Sequence, residues 1–520
     1  MQLAPIDISV FIIYVIALIG IAYLVSREKA GHEKDTKDYF LAGNSLPWWA
    51  IGASLIAANI SAEQIIGMSG SGFAIGLAIA SYEWMAAITL IIVGKYFLPI
   101  FLKRGIYTMP QFLEQRFDHR VRTILAVFWL GVYVFVNLTS ILWLGALAIN
   151  TVTGIDMLYG MIFLAAFASA YSLYGGLKAV AYTDIIQVVI LVFGGLLLSW
   201  ICLDLISEGN GVVAGFVSLT EQASDRFDLI LDKDHPHYMS LPGISVLVGG
   251  MWIMNLSYWG FNQYIIQRTL AAKSLKEGQR GIVFAAYLKL LMPIIVVLPG
   301  IAAVILAPQL ERPDEAYPTL MHLMPVGIKG LVFAALVAAI VSSLGSMINS
   351  IATIFTMDLY AHHRPEKSQK HYVTVGRVVG FSALIIAMIC ARPLLGNFDQ
   401  AFQYIQEFTG FFTPGIVALF LMGMFWKRAT AKAALVAAIG SAVFSLAFKL
   451  LLPEVPFIDR VGLVFILCLV LPAVTVFIEK AGEQENAVDL SDISFSTTRN
   501  FNIGAIGVIL ILTGLYATWW

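Results

Sequence analysis

Charge is what this 520-residue sequence has least of. Lys and Arg number 32 and Asp and Glu 33, so 12% of the residues are charged while 59% are hydrophobic. The mean hydropathy is +0.83, and soluble domains carry about 25% charged residues, so the composition describes a polytopic membrane protein. A net charge of -1 with no basic block leaves nothing that points to nucleic acid. The three cysteines, Cys202, Cys390 and Cys468, stand alone in or beside apolar runs. They imply neither a disulfide framework nor a zinc site, and packing is their expected use. Also missing are an HExxH pair, a serine nucleophile elbow, a phosphate loop and a soluble output domain, so nothing supports a membrane-embedded enzyme or sensor.

What is present is length in apolar runs. They fall near 8–25, 46–66, 75–101, 123–149, 157–173, 185–205, 244–266, 281–307, 326–360, 376–391, 401–426, 433–452, 461–478 and 503–520. Most approach the roughly 20 residues that cross a bilayer, which predicts an all-α chain of about fourteen spans in one integral membrane domain over 1–520. The first run follows Asp7 rather than a basic region, and reads as a retained span rather than a signal peptide.

Alternate connections carry most of the cations, among them Arg27, Lys29, Lys34, Lys37, Lys103, Arg116, Lys178, Arg268, Lys273, Arg364, Lys427 and Arg499. Basic connections stay on the inner side, so both termini are expected outside, with only Lys95 and Lys289 inside spans. The connection Asp204 to Ser240 reads as a solvated outer loop rather than a lid, and 481–496 as a flexible inner linker.

Two stretches break the apolar pattern. Ala53 to Gly72 gathers Asn59, Ser61, Glu63 and Gln64, then Gly67, Gly70 and Gly72, and Gly249 to Gln267 carries Asn255, Ser257, Gly260, Asn262 and Gln263. Polar groups and glycines are tolerated within a span where the helix unwinds against protein or lines a wet cavity. Such stretches in corresponding halves mark a transporter built from inverted repeats, with its substrate where they meet; the plain alternative is two helices kinked for packing. Glu83 and Lys289 lie within spans at about 2.5–3.5 kcal/mol each, so both should face a cavity or polar partners. Asp184 reads equally as a solvated helix start or as part of an ion path. For Ser342 and Ser343 the spacing favours helix packing, with sodium, a hard cation satisfied by hydroxyls and freed carbonyls, as the second reading. Gln403, Gln406 and Glu407 fit either a gate or a pore lining.

The segment YSLYGGLKA at 171–179 resembles the signature of the sodium:solute symporter family, and DYFLAGNSLPWWAIGASLIAANISAEQ, ASYEWMAAITLIIVGKYFLPIF, YWGFNQYIIQRTLAAKS and AFQYIQEFTG resemble its sugar-carrying members. The resemblance covers nearly the whole chain. It implies a LeuT-type 5+5 inverted-repeat core, with 46–205 and 244–426 as the halves, 8–25 as an extra helix before them and 433–520 as accessory helices after. Carried over by position, Gln64, Glu83, Asn255 and Lys289 would bond a hexose, glucose or galactose, with Asn59, Ser61 and Gln406 beside them. Tyr258 would stack on the ring from the inner side, and Met68, Tyr82 and Phe402 would close the outer side. Co-transported sodium would take the backbone oxygens of Ala57, Ile60 and Ala339 and the hydroxyls of Ser342 and Ser343, with Asp184 on its exit path. Ala86 stands where sugar-binding relatives have a ligand-contacting serine.

The chemistry is consistent with a sugar. A neutral polyol both donates and accepts, so its site wants amides, an acceptor-only carboxylate and a donor-only ammonium, with an aromatic face for the C–H side of the ring. The alternative within transport is a sodium symporter for an amino acid, a carboxylate or another polyol.

Overall fold

The structure, a computed structural model, describes residues 3–26, 45–106, 108–396 and 400–520. Arg27, Lys29, Lys34 and Lys37, and the start of the block at Asp38, lie outside them, as do the side chains of the 171–179 signature.

Among the described residues every extended element is helical. Among them are α1 (Pro5–Ser26), α2 (Trp48–Asn59), α3 (Met68–Ala74), α4 (Ser81–Ile92), α5 (Met157–Ile206), α6 (Gly250–Leu256), α7 (Gln263–Leu270), α8 (Leu275–Met292) and α9 (Ile328–Thr353). Among the described residues nine helices are long and apolar enough to cross a bilayer, or up to eleven when each of two bent pairs counts as one span. The remaining runs correspond to the shorter apolar helices Pro5–Ile21 and Met157–Ala170 and to the interrupted segment of α6 and α7. Helix starts fall where the sequence supplies caps: Asp118 accepts from Arg120 N–H, Asp156 from Leu158 N–H and Ser274 from Glu277 N–H, each satisfying an orphan donor of the first turn.

Both polar stretches are interrupted, which removes the reading of two merely kinked rods. The first is α2 and α3, bent by 62° about the residues between them. The second stops at Asn262, whose ψ of 122° is extended, between α6 with its π turn and α7. A single β bridge between Leu46 and Ala272 ties the start of the first segment to the end of the second, through Leu46 N–H to Ala271 O at 3.1 Å and Lys273 N–H to Leu46 O at 3.2 Å.

Glycine lets the broken segment lie close to its neighbour. A Cβ on Gly52 of α2 would stand 2.7 Å from Gly281 O of α8, and one on Gly300 would stand 2.1 Å from Ser69 O of α3. Without a side chain the backbones approach, as at small-residue contacts between membrane helices.

Four expectations need correction. The backbone at Lys178 is itself helical, as part of α5. A straight 50-residue helix would measure about 75 Å, more than twice the hydrocarbon core. Phe163 nevertheless shares a cavity with Phe333 and Val337, while Gly194 lies against Val332. Residues so far apart on a straight rod would be separated by about 45 Å, so α5 is not straight between its two runs. The connection 204–240 is not simply solvated: Val212–Gln222 is a helix, and Leu219, Phe227, Leu229 and Leu231 are buried. Their apolar face is what the charge count overlooked. Arg226 of that segment donates to Phe73 O and Ala74 O, capping the carbonyl end of α3. The segment 481–496 is tacked down, with Arg428 donating to Ala481 O, Arg104 to Ala487 O and Lys103 to Asp492 O. Finally, Arg268 is no loop cation; it is fully buried at the end of α7.

Candidate functional site

The chain leaves helical geometry at Ile60, whose ψ is 77°. Ser61 N–H, the regular partner of Ala57 O, turns instead to Asn59 O at 2.8 Å, and Gln64 N–H, the regular partner of Ile60 O, turns to Ser61 O at 3.2 Å. Two carbonyls therefore lose their helical donors where a hard cation would use them. The chain resumes as a π turn over Glu63–Gly67, started by Glu63 N–H donating to Ser61 Oγ at 3.2 Å.

This break opens into a chamber between the two interrupted segments. Asn59, Gln64, Tyr82, Glu83, Asn255, Tyr258, Phe402 and Gln406 all line it. Glu83 is the electrostatic centre: Gln64 Nε2 donates to Oε1 at 2.5 Å, and Lys289 Nζ donates to Oε2 and also to Asn59 Oδ1. The Lys289 ammonium lies 4.9 Å from the Trp259 ring centre, a cation–π arrangement. Lys289 is fully buried, which rules out a chain reaching for the membrane surface. Asn59 Nδ2 donates to Tyr258 Oη at 3.1 Å, and the hydroxyls of Tyr258 and Tyr264 meet at 2.5 Å. Tyr82 and Phe402 pack edge to face with ring centres 5.1 Å apart.

Three of the residues named from sequence are not on the chamber lining, Lys289 among them, which reaches it only through Glu83 and Asn59. Ser61 caps the π turn, and Met68 lies behind Gln64, whose Nε2 reaches Met68 Sδ at 3.1 Å. The 403–407 cluster divides. Gln406 lines the chamber, whereas Glu407 pairs with Lys449 at 3.0 Å and Arg460 at 3.2 Å. Ala86 is buried on α4, one turn beyond Glu83.

The lining also includes Glu63, Asn137, Met254, Trp259, Asn262 and Thr409, which sequence reasoning did not assign to the site. Glu63 and Asn262 were visible as polar residues of the two stretches. Asn137 sits in a span whose other residues give no such signal, and Trp259 is one aromatic among many.

A second polar cluster lies beside the first break. Ser342 Oγ donates to Asp184 Oδ1 at 2.6 Å and Ser54 Oγ to Asp184 Oδ2 at 3.0 Å. Asp184 is fully buried, so it is not a solvated helix start. Ser343 Oγ is buried with no hydrogen-bond partner, an acceptor left open beside the broken helix, and Ala339 is buried one turn before it. Arg268 closes the cluster, donating through Nε to Ser54 Oγ and through Nη2 to Ser346 Oγ, both at 3.0 Å, and through Nη1 to Tyr264 O.

Interrupted membrane helices that meet around a polar chamber, with freed carbonyls and hydroxyls beside it, define a secondary transporter. The chain belongs to the sodium:solute symporter family, whose model matches residues 39–440. It is 53% identical to a sodium/glucose cotransporter of Vibrio parahaemolyticus, across 100% of this chain and 99% of that protein. It is 34% identical to the sodium/myo-inositol cotransporter 2 of Mus musculus, over 83% of this chain and 68% of that one. Among solved structures, a Na+-coupled sialic acid symporter superposes with a TM-score of 0.78 at 24% identity, covering 92% of this chain and all of that one. Mhp1, a nucleobase-cation-symport-1 family transporter, gives 0.55 at 13% identity over 91% and 99%. The fold is therefore that of these symporters, and the chain is a sodium-coupled transporter rather than an enzyme.

Proposed function

We propose that the chain carries a hexose, glucose or galactose, across the cell's inner membrane together with sodium. The observation that carries this reading is Glu83 on the wall of the chamber, held between the Gln64 amide and the Lys289 ammonium behind it. A hydroxyl entering there can donate to the carboxylate and accept from the ammonium or an amide, the combination a neutral polyol needs. Asn59, Asn255 and Gln406 add amides, and the Tyr258 ring supplies a face for the C–H side of the sugar. The 53% identity to a sodium/glucose cotransporter supports the same substrate class.

Sodium is the driving cargo. Ser342, Ser343 and the carbonyls of Ala57, Ile60 and Ala339 hold it, joining the broken segment to α9 and completing the sugar site. Sugar then seals the side of Tyr82 and Phe402, and movement of one helix group against the other frees the side of Tyr258. The inverted repeats are 46–205 and 244–426, with both termini on the outer face. One charge moving through 100 mV releases about 2.3 kcal/mol, and a tenfold gradient adds about 1.4 kcal/mol. Together they sustain accumulation of roughly a few hundred-fold at one sodium per sugar.

Uptake of labelled hexoses into proteoliposomes, with and without an inward sodium gradient and with unlabelled epimers and myo-inositol as competitors, tests the reading. Sodium-dependent uptake of a hexose is the expected result. Uptake confined to an amino acid or carboxylate would overturn it.

A further inference from the structure

We propose that Arg268 is a positioning residue for the cation site. Its fixed positive charge holds Asp184 as the acceptor of the Ser342 hydroxyl and keeps that carboxylate from capturing the transported sodium. The proposal rests on the sodium site described above and assigns it a residue outside its ligands.

Arg268 is the largest fully buried side chain of the described residues, and its guanidinium joins four elements: Ser54 on α2, Ser346 on α9, the Tyr264 carbonyl on α7 itself, and Asp184 on α5 at 3.8 Å. Ser54 is the bridge, accepting from Arg268 Nε and donating to Asp184 Oδ2. The other carboxylate oxygen accepts from Ser342. A hydroxyl has one proton to give, so once Ser342 has given it to Asp184 its lone pairs are free for a cation. That is how a carboxylate can orient a sodium ligand without being one.

The same arrangement carries a hazard. An unneutralised carboxylate 2.6 Å from that hydroxyl would be the strongest oxygen ligand within reach of a hard cation. Sodium bound to it would leave slowly, and a carrier must release its cargo. Arg268 cancels the charge in place, and being guanidinium it does so at every working pH. Its position also connects the two sites. Tyr264, whose carbonyl accepts from Arg268, bonds through its hydroxyl to Tyr258, which accepts from Asn59 in the chamber.

A purely structural arginine and a charge-cancelling one predict different signs. The test uses the full chain as Arg268→Gln, Asp184→Asn, the double variant and Arg268→Lys. Two quantities are read: the sodium concentration that half-protects the purified protein against melting, and the sodium dependence of hexose uptake. Arg268→Gln should lower half-saturating sodium about tenfold while reducing the maximal rate, and Asp184→Asn, which strands the guanidinium, should raise it about tenfold. The double variant, with both charges gone, should return to within about threefold of the unaltered chain. Arg268→Lys, which keeps the charge but loses the fork, should remain near the unaltered value. Single variants that shift sodium in the same direction, a double variant worse than either, or a lysine variant that behaves like glutamine would each overturn the proposal. An unaltered chain that takes up no hexose would sink the sugar reading alone, since the melting titration decides the role of Arg268 without any sugar.

Discussion

Two buried ion pairs sit a short distance apart in this protein, and they do opposite things with the same charges. Glu83 and Lys289 are in direct contact, with side chains 4% and 0% exposed, and Glu83 lines the chamber. Asp184 and Arg268 are both fully buried and stand 3.8 Å apart, with the Ser54 hydroxyl bridging them. Desolvating a pair of charges costs several kcal/mol per ion unless hydrogen bonds complete each group. The second pair is completed by protein on every side, through Ser54, Ser342, Ser346 and Tyr264. The first pair borders space, and there an arriving hydroxyl can complete it. What separates a guest's site from a structural one is therefore what lies next to the pair, not its charge or its burial.

The hardest blow to this contrast is Lys289→Met. Removing one partner of a buried pair costs about 3–5 kcal/mol, and it strands Glu83 on the chamber wall. Hexose uptake at saturating sodium should fall by at least about a hundredfold. The sodium concentration that half-protects against melting should stay within about threefold, because Lys289 touches no sodium ligand. If sodium protection collapsed along with uptake, the two pairs would not be separate devices.

Ser342→Ala strikes from the other side. It removes a proposed cation ligand and the hydroxyl that Asp184 orients, so half-saturating sodium should rise about tenfold, the loss expected from one buried hydrogen bond to a charged group. Sugar affinity measured at saturating sodium should move by less than about threefold. Equal losses in both would show that the serine serves packing alone.

Tyr258→Phe cuts the thread between the sites. The ring stays, but the hydroxyl that joins Asn59 to Tyr264 is lost. A net hydrogen bond is worth about 1 kcal/mol, so half-saturating sugar should rise about fivefold with little change in maximal rate. An unchanged sugar affinity would show that the hydroxyl bond carries no coupling.

The first pair was legible from the sequence and the second was not, for a physical reason. Glu83 and Lys289 interrupt long apolar runs, where each charge has an evident cost, so a cavity or polar partners were called for. Arg268 stands at the polar end of its stretch, close to Lys273 and Lys276, where a cation normally marks a solvated connection; nothing local shows that Ser54 and Ser346 come to meet it. Asp184 was ambiguous on the same ground. The interruptions themselves were foreseen, because glycine and amides within a span have few other uses. Which residues face the chamber was foreseen less well. Helical spacing relates neighbours only while the helix is continuous, and at Ile60 it is not. That is why Asn59 and Gln64 both reach the chamber while Ser61, between them, turns to its own backbone.

The gentlest test of the contrast is Ser346→Ala. Ser346 Oγ accepts from Arg268 Nη2 and has no part in the chamber. Removing it takes one acceptor from the buried guanidinium, while Ser54 and the Tyr264 carbonyl still bind it. The cost should lie at the low end of the penalty for an unsatisfied buried group, about 1 kcal/mol, and be read as a small drop in melting temperature without sodium. Half-saturating sodium should change by less than about threefold, since the charge on Asp184 is still cancelled. A shift as large as that expected for Arg268→Gln would mean that guanidinium placement, rather than its charge, sets sodium affinity. The closed pair would then be as finely tuned to its cargo as the open one.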